Sequence, residues 1–222
     1  MKKVLLLLAD GFELLEAAGF TDVFGWANID GEEPIELVSA GLSSPLKATF
    51  GFSVIPDKLV SDLDIDDFHA LAVPGGFEGA GFYHDAYRPE FLNVIRVFEK
   101  KGKPVASVCV ASLSLGKAGV LKNRRATVYH QIGGKRKVEL EDFGAKFVDE
   151  AIVKDGNIIS STGPGTGIEV AFELLKELTS VTNVQHIRAL MRIPTPDPNW
   201  RRIPQVYAQN YEVKNSLESE RQ

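Results

Sequence analysis

Only one cysteine, Cys109, occurs in the 222 residues, which excludes an internal disulfide and any multi-cysteine metal framework. Positive charge is not in excess either. A formal net charge of −5 gives no support to nucleic-acid binding. No apolar run approaches the ~20 residues that cross a bilayer. The run over residues 4–9 is short and lacks a small-residue cleavage pattern, so it predicts a first strand rather than a signal peptide. A cytoplasmic protein free of membrane and nucleic acid is the expectation.

Several motifs of cofactor and hydrolase chemistry are missing too. Gly75, Gly76, Gly79 and Gly81 crowd together without G-x-G-x-x-G spacing, and Gly163-Pro164-Gly165-Thr166-Gly167 lacks the Lys-Ser/Thr end of a phosphate loop. There is no H-E-x-x-H, the four histidines are scattered, and no G-x-S-x-G elbow occurs. No metal and no cofactor are expected. The basic run Lys135-Arg136-Lys137 is most simply a solvated loop.

What is present is an alternation of strand-like and helix-like segments. Residues 4–8, 35–38, 70–73 and 104–108 are short apolar runs of the kind buried in a parallel sheet. Helical patterns cover 13–28, 90–100, 166–178 and 181–192. Residues 50–55 suit a hairpin, and 126–129 read as a short strand that delivers His130. Residues 146–153 and 157–160 read as paired strands around an Asp155-Gly156 turn. This pattern predicts an α/β sandwich with a mostly parallel sheet over residues 1–192. A proline- and aromatic-containing extension, 193–222, follows. Its Trp200, Val206, Tyr207 and Tyr211 predict packing on its own domain or on a neighbouring subunit, and 216–222 are polar enough to be disordered.

Cys109 stands where an apolar strand turns into a helix beginning near Val110. In parallel α/β sheets that end of the strand is where ligands bind. The amides that open a helix also favour a thiolate. A lone cysteine among Val and Ala can equally be a small buried hydrophobe, and position alone leaves both open. Other loops at strand ends carry complementary groups. They are Glu13 and Glu16 after the first strand, the Gly75-Gly76 pair after the third, and His130 further on. Together they supply a thiol, a carboxyl group, amides able to approach an oxyanion, and an imidazole. Singly, each has a plain structural role: acids in a first helical turn, glycines in a tight turn, a loop histidine.

The ordered set Leu8-Ala9-Asp10-Gly11-Phe12-Glu13-Leu14-Leu15-Glu16, Val73-Pro74-Gly75-Gly76, Cys109, Thr127-Val128-Tyr129-His130 and the stretch from Asp155 through Gly163-Pro164-Gly165-Thr166 resembles the ThiJ/PfpI superfamily. It is most similar to the branch containing the Parkinson-disease protein deglycase. The resemblance covers roughly residues 2 to 180. It implies a flavodoxin-like three-layer sandwich with a nucleophile elbow, and a homodimer. It also implies Cys109 as nucleophile, Glu16 as the acid bonded to its sulfur, and His130 as histidine partner. Gly76 and Val110, beside Gly75, would supply oxyanion amides, with Gly163, Pro164 and Thr166 in support. Two departures stand out. The β-branched Val110 follows the cysteine, predicting a narrowed pocket, and no third triad acid can be matched. Glu78 is offset, and His84 is a second candidate base at a helix start.

The function implied is a cofactor-free cysteine enzyme acting on small reactive carbonyls or their adducts, of glyoxalase or deglycase type. Two alternatives use the same residue: an amidase, peptidase or isonitrile-hydratase-like enzyme, or a redox-sensing, stress-protection protein.

Overall fold

The computed structural model describes residues 1–197, 199–200, 202–204 and 206–208. Tyr211 and residues 216–222, for which packing and disorder were expected, lie outside the described residues. In chain order the elements are β1 (Lys2–Leu8), α1 (Leu14–Asp30), β2 (Ile35–Gly41), β3 (Leu46–Lys47), β4 (Ser53–Val54), β5 (Lys58–Leu59), β6 (Ala70–Val73), α2 (Phe82–Ala86), α3 (Pro89–Lys100), β7 (Val105–Ser107), α4 (Ala111–Lys117), β8 (Arg125–Ala126), α5 (Arg136–Asp142), β9 (Lys146–Phe147), β10 (Ile152–Asp155), β11 (Ile158–Ser161), α6 (Gly167–Leu178) and α7 (Val181–Leu190). Short 3₁₀ turns punctuate the loops.

The main sheet runs β10-β11-β7-β6-β1-β2-β5. Every pairing in it is parallel except β10 with β11. Its central strands are apolar throughout because helices cover both faces. Val4 to Leu8, Ala70 to Val73 and Val105 to Ala106 are all buried. Each buried Leu or Val side chain contributes about 1.5–3 kcal/mol. This is the flavodoxin-like arrangement that the resemblance implies, and it sets the carboxyl ends of β1, β6 and β7 side by side.

Helix α1 packs on α6 through a glycine contact. A Cβ on Gly19 would meet Gly167 C at 2.8 Å and Ile168 N at 2.9 Å. Only hydrogen at that position lets the two backbones touch, and Gly167 in turn lies 3.5 Å (from an ideal Cβ) from Glu16 Cα. The helix contact therefore fixes Glu16 at the sheet's rim.

Three local expectations are corrected. The strand read over 126–129 is only Arg125–Ala126, and it pairs with Lys146–Phe147 in a separate ribbon. The segment 146–153 is not one strand, because Asp149 and Glu150 interrupt it and only Ile152–Asp155 joins the sheet. The basic run is not a solvated loop: Arg136 opens α5 and lies 5.5 Å from the Tyr129 ring centroid. The hairpin near 50–55 is present, with Leu46 opposite Val54 and Lys47 opposite Ser53.

Candidate active site

Cys109 is held between β7 and α4 at φ +59°, in the left-handed region that non-glycine residues avoid. That conformation costs about 1–3 kcal/mol and persists only where the surroundings enforce it. They do so here from three sides. Cys109 N–H donates to Ser161 O at 3.0 Å, Val108 N–H to Val73 O at 3.1 Å, and Tyr129 N–H to Cys109 O at 3.4 Å. Strands β11 and β6, together with the segment before His130, thus pin the elbow. The thiol is 5% exposed.

Glu16, in the first turn of α1, is fully buried. Its Oε2 accepts the Gly75 N–H at 2.6 Å, while Oε1 has no hydrogen-bond partner. The Cys109 thiol and the Glu13 side chain both interact with the Glu16 carboxyl. Burial first, and then the charge of Glu13, push Glu16 up to about 8. Neighbouring charge alone would suggest that direction, but desolvation is the larger cause. Burial likewise pushes the Cys109 thiol up, reinforced by Glu16, while the Val110 N–H acts in the opposite sense. The thiolate expected from the helix amides is therefore not the resting form. With both groups raised, the pair holds its protons to higher pH than either group would alone.

Gly75 is engaged on both sides of its peptide unit. Its N–H is taken by Glu16, and its carbonyl accepts Glu13 N–H at 2.8 Å, so α1 clamps this peptide unit at both ends. A Cβ here would meet Val108 O at 2.8 Å, Val110 N at 3.0 Å and Ala111 N at 3.1 Å, all backbone atoms of the elbow. Gly75→Ala is expected to cost about 1–3 kcal/mol by overpacking. The measurement is the urea midpoint, and an unchanged midpoint would contradict the close approach. Gly76 and Val110 keep their N–H groups out of the backbone hydrogen-bond network of this turn. Val110 is buried, and its N–H interacts with the Cys109 thiol.

His130 is not bonded to Cys109. Its Nδ1 contacts Val128 O at 2.9 Å and its Nε2 contacts Asp149 Oδ1 at 2.9 Å. Both partners accept, so both contacts are hydrogen bonds only when the ring carries two N–H groups. The ring also packs edge-on to Phe147, 5.0 Å between centroids. Asp149 is the acid that sequence matching does not find. The only signal was the pair of acids breaking an otherwise strand-like stretch. Glu78 instead pairs with Lys135, and His84 sits within α2.

Thr166 Oγ1 donates to Gly163 O at 2.6 Å, closing the Gly163-Pro164-Gly165-Thr166 turn against the start of α6. Glu13, grouped with Glu16 in the sequence, is buried beside it, and its carboxyl is raised by burial. One further group was not anticipated: Tyr83 is a partly buried phenol, pushed up to about 12 by burial and opposed by Arg136. No cluster of three or more metal-ligating side chains occurs among the described residues, and no described helix is long and apolar enough to cross a membrane.

Comparison with known proteins agrees with the fold. The family model described as DJ-1/PfpI family matches residues 2–177. Protein dj-1beta of Drosophila melanogaster is 30% identical over 84% of this chain and 94% of its own. Its crystal structure superposes with a TM-score of 0.76 at 28% identity, over 87% of this chain and 99% of that one. A deglycase of Thermococcus kodakarensis is 33% identical over 73% of this chain and 91% of its own. A glutathione-independent glyoxalase DJ-1 of Schizosaccharomyces pombe is 28% identical over 87% of this chain and its full length.

Proposed function

The chain belongs to the DJ-1/PfpI family, and from that premise we propose that it is a cofactor-free cysteine enzyme converting small reactive carbonyls, of glyoxalase or deglycase type. The observation that carries this reading is the buried Glu16, one carboxyl oxygen held by Gly75 and the other free beside Cys109. The pair that has lost one proton is mainly carboxylate and thiol; its minor tautomer, a thiolate beside the carboxylic acid, is the form that reacts. Sulfur adds to the aldehyde carbon of methylglyoxal, a C–S bond forms, and the carbonyl electron pair moves onto oxygen. The Gly76 and Val110 amides stabilise that charge while Glu16 delivers its proton, giving a hemithioacetal. The C1 hydrogen moves as a proton to C2 and the hydroxyl proton moves from the C1 oxygen to the C2 oxygen, giving the isomeric lactoyl thioester. Water then hydrolyses the thioester to lactate, one proton returning to the Cys109–Glu16 pair and one leaving to solvent. Methylglyoxal plus water gives lactate and a proton, so no outside oxidant or reductant is required. The test is lactate formation by wild type against Cys109→Ser.

Two alternatives have less support. A thiol–imidazole ion pair of peptidase type lacks its hydrogen bond, since both His130 nitrogens are engaged elsewhere. A peroxide sensor calls for an accessible low-pKa thiol, whereas burial raises this one.

A homodimer belongs to the same proposal. Phe50, Phe52 and Ile55 around the β3–β4 hairpin are 74%, 67% and 80% exposed, and Phe50 stacks edge-on with Phe77 next to Gly76. Such a patch suits a second copy whose edge borders the site. Light scattering is expected to give twice the chain mass, falling to one chain in Phe50→Glu/Phe52→Glu. A monomeric wild type contradicts it.

A further inference from the structure

We propose that a second wall of the site, built by the C-terminal segment, is a subsite for the body of an anionic substrate with an apolar or aromatic remainder. A cavity of about 340 Å³ opens on the His130 side of the elbow. Its inner lining includes Tyr129, His130 and Thr162, together with the 163–166 turn; its outer lining includes Trp200, Arg202 and Val206. The inner wall is tied to the nucleophile. Tyr129 N–H bonds the Cys109 carbonyl, and Cys109 N–H bonds Ser161, the residue before Thr162. The outer wall is docked rather than dangling. Ile132 N–H donates to Val206 O at 2.8 Å, and Ala208 N–H to Ile132 O at 2.8 Å, a parallel bridge between Ile132 and Tyr207.

The family model matches residues 2–177, so the outer wall lies beyond the part of the chain that it describes. Its chemistry defines what it accepts. Trp200, Val206 and the adjacent prolines give apolar and aromatic surface, and Arg202 brings a guanidinium suited to a carboxylate. An aryl group suits the Trp200 side and a carboxylate suits Arg202, so the subsite favours aromatic 2-oxo acids over uncharged methylglyoxal. The substrate assignment rests on the carbonyl-enzyme reading; the binding site does not.

Trp26 and Trp200 are the only tryptophans, so a Trp26→Phe protein reports Trp200 alone. Phenylglyoxylate is the probe and acetophenone its uncharged counterpart. A saturable change in Trp200 emission is expected with phenylglyoxylate, weakened by about tenfold or more in Arg202→Gln and for acetophenone, the loss typical of one charge-assisted contact. An unshifted emission maximum in unliganded Arg202→Gln verifies that the segment stays docked; if it shifts, Arg202→Lys, which keeps the charge, must restore both docking and binding. Absence of saturation, equal affinity for acetophenone, or failure of Arg202→Lys to restore binding overturns the subsite. Methylglyoxal turnover by wild type is measured alongside. Its absence from wild type sinks the carbonyl chemistry and leaves the binding result standing.

Discussion

Cys109→Ser is expected to lower the rate of lactate formation from methylglyoxal by at least about 10³-fold, the usual cost of removing a covalent nucleophile. The reason is specific to this site. A serine hydroxyl in the same place would need to ionise in a buried setting that already raises the far more acidic thiol. Glu16 cannot help it, because a carboxylate is too weak a base to take that proton. The substitution changes one buried atom and keeps the backbone bonds to Ser161 and Tyr129, so thermal stability should change little. Lactate is the proper readout, because the 25 Lys and Arg side chains consume dicarbonyls without making it. A serine variant with more than about a tenth of wild-type lactate formation would falsify covalent catalysis at residue 109.

Glu16→Gln is expected to cost about 10²-fold or more in kcat, in the range of general acid–base catalysis. Glutamine retains an acceptor for the Gly75 N–H and a donor toward sulfur, so geometry survives while proton delivery does not. Wild-type turnover should rise with pH through about 8 as the pair loses its first proton, and that limb should vanish in the variant. Stability moves the other way. The folded-state value of Glu16 lies above its ordinary 4.5, so the native protein binds more protons than the unfolded chain between those limits. Unfolding free energy must therefore fall as pH rises across that window, with the full cost present above about 8. Urea midpoints of wild type should decline from mildly acidic to alkaline pH, and those of Glu16→Gln should decline less. Parallel declines would remove Glu16 as the source.

Much of the fold was legible because it rests on local patterns. The apolar runs of β1, β6 and β7 are buried on both faces, and such runs announce a parallel sheet without long-range information. The turn after Val108 marked the elbow for the same reason. What stayed hidden depends on contacts between distant segments. That Gly75 gives its amide to Glu16, 59 positions away, is invisible in a Gly-Gly pair that looks free to serve an oxyanion. His130 was assigned by motif, but its partner Asp149 comes from across the β8–β9 ribbon, whose strands of two residues each are too short for a periodic signal. The direction of the Cys109 shift was also out of reach. Helix amides favour a thiolate, burial opposes it, and burial is a tertiary quantity that here outweighs the amides. Docking of Trp200 and Val206 was foreshadowed by their aromatic and apolar character, though not where they would lie.

The account turns on a carboxylic acid that keeps its proton beside a buried thiol. Titrating the side-chain carboxyl carbon of Glu16 by ¹³C NMR, with the resonance assigned by its loss in Glu16→Gln, addresses this directly. A midpoint near 8 is the predicted result, and a midpoint near 4.5 would contradict it.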